Sequence, residues 1–368
     1  MSESEADPVS AAELEQRLAS IEDPVVGTDI VSMGLVNDVS VEDGTASISL
    51  AFNSPFAPAE MELGDRIREV VAEAGLEPDL RAHAGAEHGF DEEVLPTVRN
   101  VIAVASGKGG VGKTTVATNL AAGLDELGAR VGVLDADIHG PNVPRLLPLE
   151  GEPAVTQEDK LVPPVSEGVR VMSMGFLLQD EDDPAILRGP MVNKFMMKFV
   201  DGVEWGHLDY LVVDLPPGTG DASLNLLQAM PVAGAVLVTT PQQMSVDDTR
   251  KAVQMFQQHN APVLGVVENM STFQCPSCGD SHELFGRDGA VKISEDYDVP
   301  RLDSLPLHPD FGGEHIGGTV VKDEESEIQG EVLGLVEAVA DRIGEENRRK
   351  VARRRGDLEE ESPPPGAE

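Results

Sequence analysis

The chain has 368 residues, 66 of them acidic against 27 basic, for a formal net charge of −39. That length admits two domains of about 150 residues each, and a composition that is 40% hydrophobic can supply their cores. The charge argues against nucleic acid or anionic lipid as partners, and no apolar run approaches the ~20 residues of a membrane span.

The acidic residues are spread through LDELG, LQDEDDP, SVDDTR and VKDEESEIQ, and nine lysines stand against eighteen arginines. This is the pattern of a whole surface adapted to high salt, as in a halophilic archaeon, where screening is strong. The start, MSESEADPVS, lacks the basic and apolar regions of a signal peptide, so the expected location is cytoplasmic. Two cysteines in a chain of this size argue against a disulfide framework and leave metal or redox work.

In chain order, residues 1–10 are expected to be disordered, and 11–88 to form a small α+β domain. There AAELEQRLASI has helical spacing, IVSMGLVNDVSVEDGTASISLAF reads as two strands turning at EDG, and MELGDRIREVVAEAGL is a second amphipathic helix. Residues 89–97 are a linker. From 98 to 346 strands and helices alternate: NVIAVAS, ARVGVLDAD, VRVMSMGF, DYLVVDLP, GAVLVTTP, APVLGVVENM and VPRLDSLPL are strand candidates. TTVATNLAAGLDEL, VNKFMMKFVDGV and VDDTRKAVQMFQQH are helical. Near-continuous apolar strands separated by crossover helices specify an α/β fold with a doubly wound, mostly parallel sheet. Its functional residues should gather at the carboxyl ends of the strands. Residues 347–368 are expected as a disordered charged tail, with the basic run EENRRKVARRR that leads into it read as the solvated last turns of a helix and GDLEEESPPPGAE as disordered.

After the strand VIAVA comes SGKGGVGKTT, which satisfies the P-loop pattern with Gly107, Gly112, Lys113 and Thr114 and opens directly into a helix. Glycines at 107, 109, 110 and 112 let successive backbone N–H groups turn toward one anion, and the helix start adds favourable potential. The loop from Gly107 through Lys108, Gly109, Gly110, Val111 and Gly112 to Lys113, Thr114 and Thr115 is therefore the candidate binding site for ATP. Lys113 would reach the β- and γ-phosphates, and the Thr114 hydroxyl would bind Mg²⁺.

Two acidic stretches complete the site. LDADIHGPN puts Asp135 and Asp137 at a strand end, and DLPPGTGD puts Asp214 at the position of a Walker-B aspartate. Asp214 would hold a Mg²⁺-bound water, since that ion keeps several waters and takes few carboxylates. Asp135 lies nearer the metal, and Asp137 is the candidate to orient the attacking water. Gly218 could offer an N–H to the γ-phosphate and move on hydrolysis, as switch loops do.

Cys275 and Cys278 form one isolated CxxC in QCPSCGD. A cluster or structural zinc usually takes four protein ligands, so a single pair leaves several readings open. A zinc site could add His282 and one further group, the pair could be a dithiol–disulfide couple, or it could be inert. Proline and glycine around it suggest a loop rather than the helix start of a thioredoxin-like unit.

GKGGVGKTT, DADIHGPN, RGPMVNK, DLPPGTGD, ENMS and CPSC stand here in the order seen in the Mrp, or ApbC-like, family of iron–sulfur cluster carrier ATPases. The resemblance covers roughly residues 98–345 and lies within the class of septum-site, chromosome-partitioning and nitrogenase-iron-protein ATPases. It implies an ATPase that is a homodimer, with Lys108 of the KGGVGKTT loop reaching the partner's nucleotide as an arginine finger does. A local reading of Lys108, as a lysine that only adds charge near phosphate, remains beside it. The resemblance also implies that Asn269 recognises adenine. It further implies that the two CxxC pairs of a dimer hold a labile [4Fe–4S] cluster for transfer to apoproteins in concert with cluster-assembly factors.

The amino-terminal unit resembles the small domain of iron–sulfur assembly factors, but NSPFAPAEM has Ala57 where that domain often has cysteine. Alternatives from the same class are a positioning ATPase acting on DNA or membrane, and a zinc-stabilised nucleotide switch. The first wants a basic stripe or an amphipathic membrane helix, which the chain does not show.

Overall fold

The computed structural model describes residues 9–52, 54–82, 94–137, 140–149, 151–177, 198–275, 277–312 and 319–356. Outside these lie the first eight residues, part of the expected linker, the RGPMVNK motif, the first half of the helix expected at VNKFMMKFVDGV, and the tail from 357. The described residues fall into two compact units, 9–82 with 344–356, and 94–343.

The small unit opens with α1 (Ala11–Leu18), whose Ser10 side chain accepts the Glu13 N–H as an N-cap. Strands β1 (Val36–Glu42) and β2 (Thr45–Leu50) form an antiparallel hairpin. Asp43 (φ 48°) and Gly44 (φ 83°) supply the left-handed pair that a two-residue turn requires. Helix α2 (Pro58–Glu73) begins at a proline, tolerated there because the first helical N–H needs no partner within the helix. Strand β3 (Glu77–Ala82) then pairs parallel to β2. It was not expected, because EPDLRA is short and polar and lies at a sheet edge. Leu14, Leu18, Ile30, Met33, Ile48, Leu50, Leu63 and Ile67 make the core of this unit.

In the larger unit the chain runs through β4 (Val98–Ala105), α3 (Lys113–Glu126), β5 (Val131–Asp135) and the single turn α4 (Val143–Leu146). The short strands β6 (Ala154–Val155), β7 (Leu161–Val162) and β8 (Val165–Ser166) precede β9 (Val169–Ser173) and β10 (Leu208–Asp214). Then come α5 (Asp221–Ala229), β11 (Val232–Thr239), α6 (Gln243–Gln258) and β12 (Val263–Glu268). A small hairpin of β13 (Phe273–Gln274) and β14 (Ser281–His282), α7 (Gly289–Tyr297) and β15 (Arg301–Ser304) follow. The last element is α8 (Gln329–Arg355).

Eight strands form one sheet in the order β15-β12-β11-β4-β10-β5-β9-β8, parallel throughout except for the edge pair β8–β9. Every residue of β10 and of β5 is buried, as a strand covered on both faces demands. All seven predicted strands of this unit are present. Among the described residues no helix is long and apolar enough to cross a membrane.

The expected tail from residue 347 needs correcting, because α8 continues to Arg355 and its segment from 344 onward belongs to the small unit. The basic run is not a fully solvated face. Arg348, 3% exposed, places Nε 3.0 Å from Asp23 and Nη1 3.7 Å from Glu60, both buried. Asn347 donates to Ser54 Oγ at 3.1 Å, and Ser54 N–H reaches Glu60 at 3.2 Å. Burial pulls the Lys350 ammonium below its usual range. Removing Arg348 strands two buried carboxylates, so Arg348→Ala should cost the small unit about 3–5 kcal/mol. Chemical denaturation at constant high salt, followed by a probe placed in that unit, measures it.

Candidate functional site

The site is built where β4, β5 and β10 end. The central strands carry Asp214 directly opposite Asp135 in register, with Val104 on the other side of Asp214. A parallel register thus brings together two carboxylates that are 79 residues apart in sequence. The turn after β4 supplies the phosphate loop, and α3 starts at Lys113.

Gly110 (φ 80°) and Gly112 (φ 82°) hold left-handed conformations that bend the loop around its own N–H groups. Gly112 has a second reason to lack a side chain: a Cβ there would lie 2.1 Å from the Asn269 amide nitrogen. Gly107 is fixed by packing, since a Cβ would fall 2.2 Å from the Asp248 carbonyl carbon in α6. Val111 is buried beneath the loop.

Lys113, 6% exposed, places Nζ 2.5 Å from Asp214 Oδ1, and Thr114 Oγ1 donates to Asp214 Oδ2 at 2.7 Å. Burial raises the Asp214 carboxyl, and the Lys113 charge and the two hydrogen bonds work against that. Asp135 was expected beside the metal, yet both its oxygens are taken by protein donors. Oδ1 accepts the Asp137 N–H at 3.2 Å, while Oδ2 accepts Ser173 Oγ at 2.9 Å and the Val143 N–H at 3.2 Å. Burial, followed by the charge of Asp214, pushes Asp135 up to about 7. Asp137 lines the mouth of the phosphate cavity, where the attacking water was expected.

Two cavities adjoin the loop. One, of about 390 Å³, is lined by the loop from Ser106 to Thr115 with Asp137, Asn142, Arg145 and Pro217. The other, of about 400 Å³, is lined by Thr115, Asn269, Met270, Phe273 and the turn from Pro306 to Gly312. Gly112, Thr115, Phe311 and Gly312 line both, so the pair makes one elongated site with a polar end and an apolar end. That shape fits a nucleotide, with phosphates over the glycines and the base between Asn269 and the 306–312 turn. The hydroxyl of Thr114 and the carboxylate of Asp214 are a hard oxygen pair of the type Mg²⁺ takes.

Asn269, expected to contact adenine, does line the second cavity, but its amide is also structural. Nδ2 donates to Val111 O at 2.8 Å and Oδ1 accepts the Met270 N–H at 3.0 Å. Gly218 (φ 87°) donates its N–H to Ser106 O at 2.8 Å, so a bond to a γ-phosphate would require that link to open. Lys108 lies 3.3 Å from Gln242 of its own chain. Arg145 and the 306–312 turn were missed in the sequence. Arg145 follows the recognised DADIHGPN stretch, and PLHPDFG begins at the end of the last predicted strand, VPRLDSLPL, where a doubly wound sheet places its ligands.

Cys275 and Cys278 sit on the loop joining β13 to β14, both thiols free, one half-buried and one exposed. Cys275 N–H bonds Asp280 O at 2.9 Å, and Gly279 N–H bonds Cys275 O at 2.8 Å. Hydrogen bonds from the backbone N–H groups of Ser277 and Cys278 lower the Cys275 thiol below its ordinary range. Cys278 Sγ lies 3.4 Å from Asp280 Oδ2. His282 is exposed on β14. Among the described residues no three His, Cys, Asp or Glu side chains converge on one metal position.

A glycine-rich loop between a parallel strand and a helix, with a buried lysine and a strand-end aspartate, defines a P-loop NTPase. Residues 97–340 match the family model of the NUBPL iron-transfer P-loop NTPases, and 11–79 match that of an iron–sulfur cluster assembly protein. The chain is 40% identical to an iron–sulfur cluster carrier protein of Synechocystis sp., over 89% of this chain and 96% of that one. It is 47% identical to the iron–sulfur cluster transfer protein NUBPL of Mus musculus, over 59% and 68% of the two chains. A nucleotide-binding protein from Archaeoglobus fulgidus, solved in complex with ADP, superposes with a TM-score of 0.53 at 38% identity, covering 67% of this chain and 90% of that one. The chain belongs to the NUBPL iron-transfer family of P-loop NTPases.

Two outcomes follow from this geometry. Lys113→Ala should lower ATP hydrolysis by about 100-fold or more, the usual effect of removing a preorganised charge donor, as read by phosphate release. Asp135 takes up its proton more readily folded than unfolded, so its burial destabilises the ligand-free protein increasingly as pH rises from 3.8 toward about 7. Asp135→Asn should therefore gain stability over wild type across that window, with the difference levelling off above it, in paired denaturation curves.

Proposed function

We propose that this chain is an ATP-dependent carrier whose cargo is an iron–sulfur cluster held by Cys275 and Cys278. The observation that carries the reading is the pair of free thiols at the tip of a hairpin, without a third metal-binding side chain among the described residues converging on them. Two thiolates are half of the four that a [4Fe–4S] cluster takes. A second copy of the chain supplies the other half, which makes the carrier a homodimer with a bridging cluster at its interface. Exposure of Cys278 suits cargo that must be surrendered to an apoprotein.

In this reading the loop from Gly107 to Thr115 holds the phosphates and Lys113 neutralises the β- and γ-oxygens. Bound Mg²⁺ would supply further positive charge there, held by Thr114 and, through water, by Asp214. Asp135 orients the site from behind, Asp137 positions the attacking water, and Lys108 acts on the nucleotide of the partner copy. Asn269 faces the adenine, and Gly218 carries the switch. Recipients are apo iron–sulfur proteins, and delivery is tied to a nucleotide-dependent change at the dimer interface.

The test is anaerobic reconstitution with iron and sulfide in high salt, comparing wild type with Cys275→Ser/Cys278→Ser. A brown wild-type protein with about two irons per chain, lost in the double variant, is the expected result for one four-iron cluster per dimer. A colourless protein that retains zinc, or a chromophore indifferent to both substitutions, would overturn the cargo assignment.

A further inference from the structure

The base end of the nucleotide site and the cysteine loop belong to one short piece of chain. From Asn269 to Cys275 is six residues, and both ends of that piece are fixed. At the first, Asn269 is clamped to the phosphate loop through Val111 O at 2.8 Å. At the second, Gln274 pairs with Ser281 across the hairpin that carries the two thiols. Between them the irregular segment that joins β12 to β13 is bolted to the turn that walls the base cavity. Ser271 N–H and Oγ both reach Leu305 O at 3.0 Å, and Leu307 N–H reaches Thr272 O at 2.7 Å.

Among the described residues Phe273 is the one hairpin residue that lines that cavity, together with Asn269, Met270 and Phe311. It is half-buried, and it stands opposite His282 in the two-residue ladder that closes the cysteine loop. A base entering the cavity therefore meets an aromatic side chain whose backbone is part of the thiol-bearing hairpin. Met270, three residues earlier, holds a left-handed conformation (φ 56°) uncommon for such a residue.

We propose that Phe273 is a positioning residue through which occupancy of the base cavity sets the geometry of the Cys275–Cys278 loop. It acts through the hairpin and touches no reacting atom. The inference rests on the nucleotide reading of the two cavities but not on the identity of the cargo, because loop geometry can be read from the thiols themselves. Linkage makes the effect reciprocal: whatever holds the loop in one geometry also changes affinity for the base.

The experiment measures alkylation rates of Cys275 and Cys278 by iodoacetamide in the full chain, resolved by peptide mass spectrometry. Each protein is tested with no ligand, with saturating MgADP and with saturating magnesium tripolyphosphate, after its own affinities have been measured. In wild type MgADP should change the rate at Cys275 by about fivefold or more, within the usual range of site-to-site couplings, and tripolyphosphate should not. Phe273→Ala should lose the MgADP response, and Phe273→Leu, which keeps apolar bulk, should retain part of it and guards against a folding defect in the alanine variant. An unresponsive wild type, an equal response to tripolyphosphate, or an undiminished response in Phe273→Ala would each overturn the proposal. Cluster reconstitution run on the same wild-type preparation separates the two claims. Thiols that respond to ADP without assembling a cluster leave the coupling standing and remove the cargo, whereas a cluster on unresponsive thiols does the reverse.

Discussion

Everything at the nucleotide end of this molecule turns on one buried ion pair, Lys113 with Asp214, whose side chains are 6% and 0% exposed. A carboxylate at the end of a fully buried strand has no water to stabilise it. Its charge is tolerable only because the P-loop lysine and the Thr114 hydroxyl both point at it. The same two groups are those a nucleotide phosphate and its metal ion require. A site that is satisfied internally without ligand can exchange that satisfaction for ligand contacts without ever exposing an uncompensated charge. Asp135, directly across the register, has no cation beside it among the described residues and is managed by hydrogen bonds and a raised affinity for protons instead. Two carboxylates on adjacent strands thus settle into different roles because only one of them faces the lysine.

The overall charge sharpens that arrangement. In a chain with 66 acidic and 27 basic residues, a polyanion has few places to land. Lys108, Lys113 and Arg145 line a single cavity whose acidic member is Asp137. High salt screens the surrounding negative surface over a few ångströms, while a half-enclosed cluster of cations with a glycine loop beneath it keeps most of its potential. The sequence-wide acidity and a local cluster of cations around a glycine loop are therefore compatible.

Much of this was readable before any coordinates. The glycine spacing, the strand before it and the helix after it identified the phosphate loop, and the apolar runs located all seven main strands, because buried parallel strands leave an unmistakable composition. The convergence of Asp135 and Asp214 was also legible, since both end strands of that sheet. Less legible was whatever depends on contacts between distant segments. Strand β3 is polar and short, and it pairs only because β2 offers an edge. The final turns of α8 read as a solvated basic tail, yet Arg348 is buried against Asp23 and Glu60, more than 280 residues away in sequence. Asn269 was expected at adenine because of the family resemblance. That its amide also braces the P-loop follows from a packing contact so close that Gly112 cannot carry a side chain.

The cysteine pair illustrates the same limit from the other direction. CPSC alone is consistent with zinc, a redox couple or a shared cluster, and the spacing cannot choose among them. Placement narrows the choice. The thiols lie on the loop closed by a two-residue ladder, one of them exposed, and His282, the nearest sequence alternative as a ligand, is not gathered with them into a three-ligand group among the described residues. A loop this small cannot enclose a metal by itself, so any cluster it holds stays partly open and must be completed from outside the hairpin. Openness makes such a site poor at permanent storage and suitable for exchange. Phe273, the ladder's first residue, also lines the cavity beside Asn269, so the fold sets the cysteine loop and that cavity on one short stretch of chain.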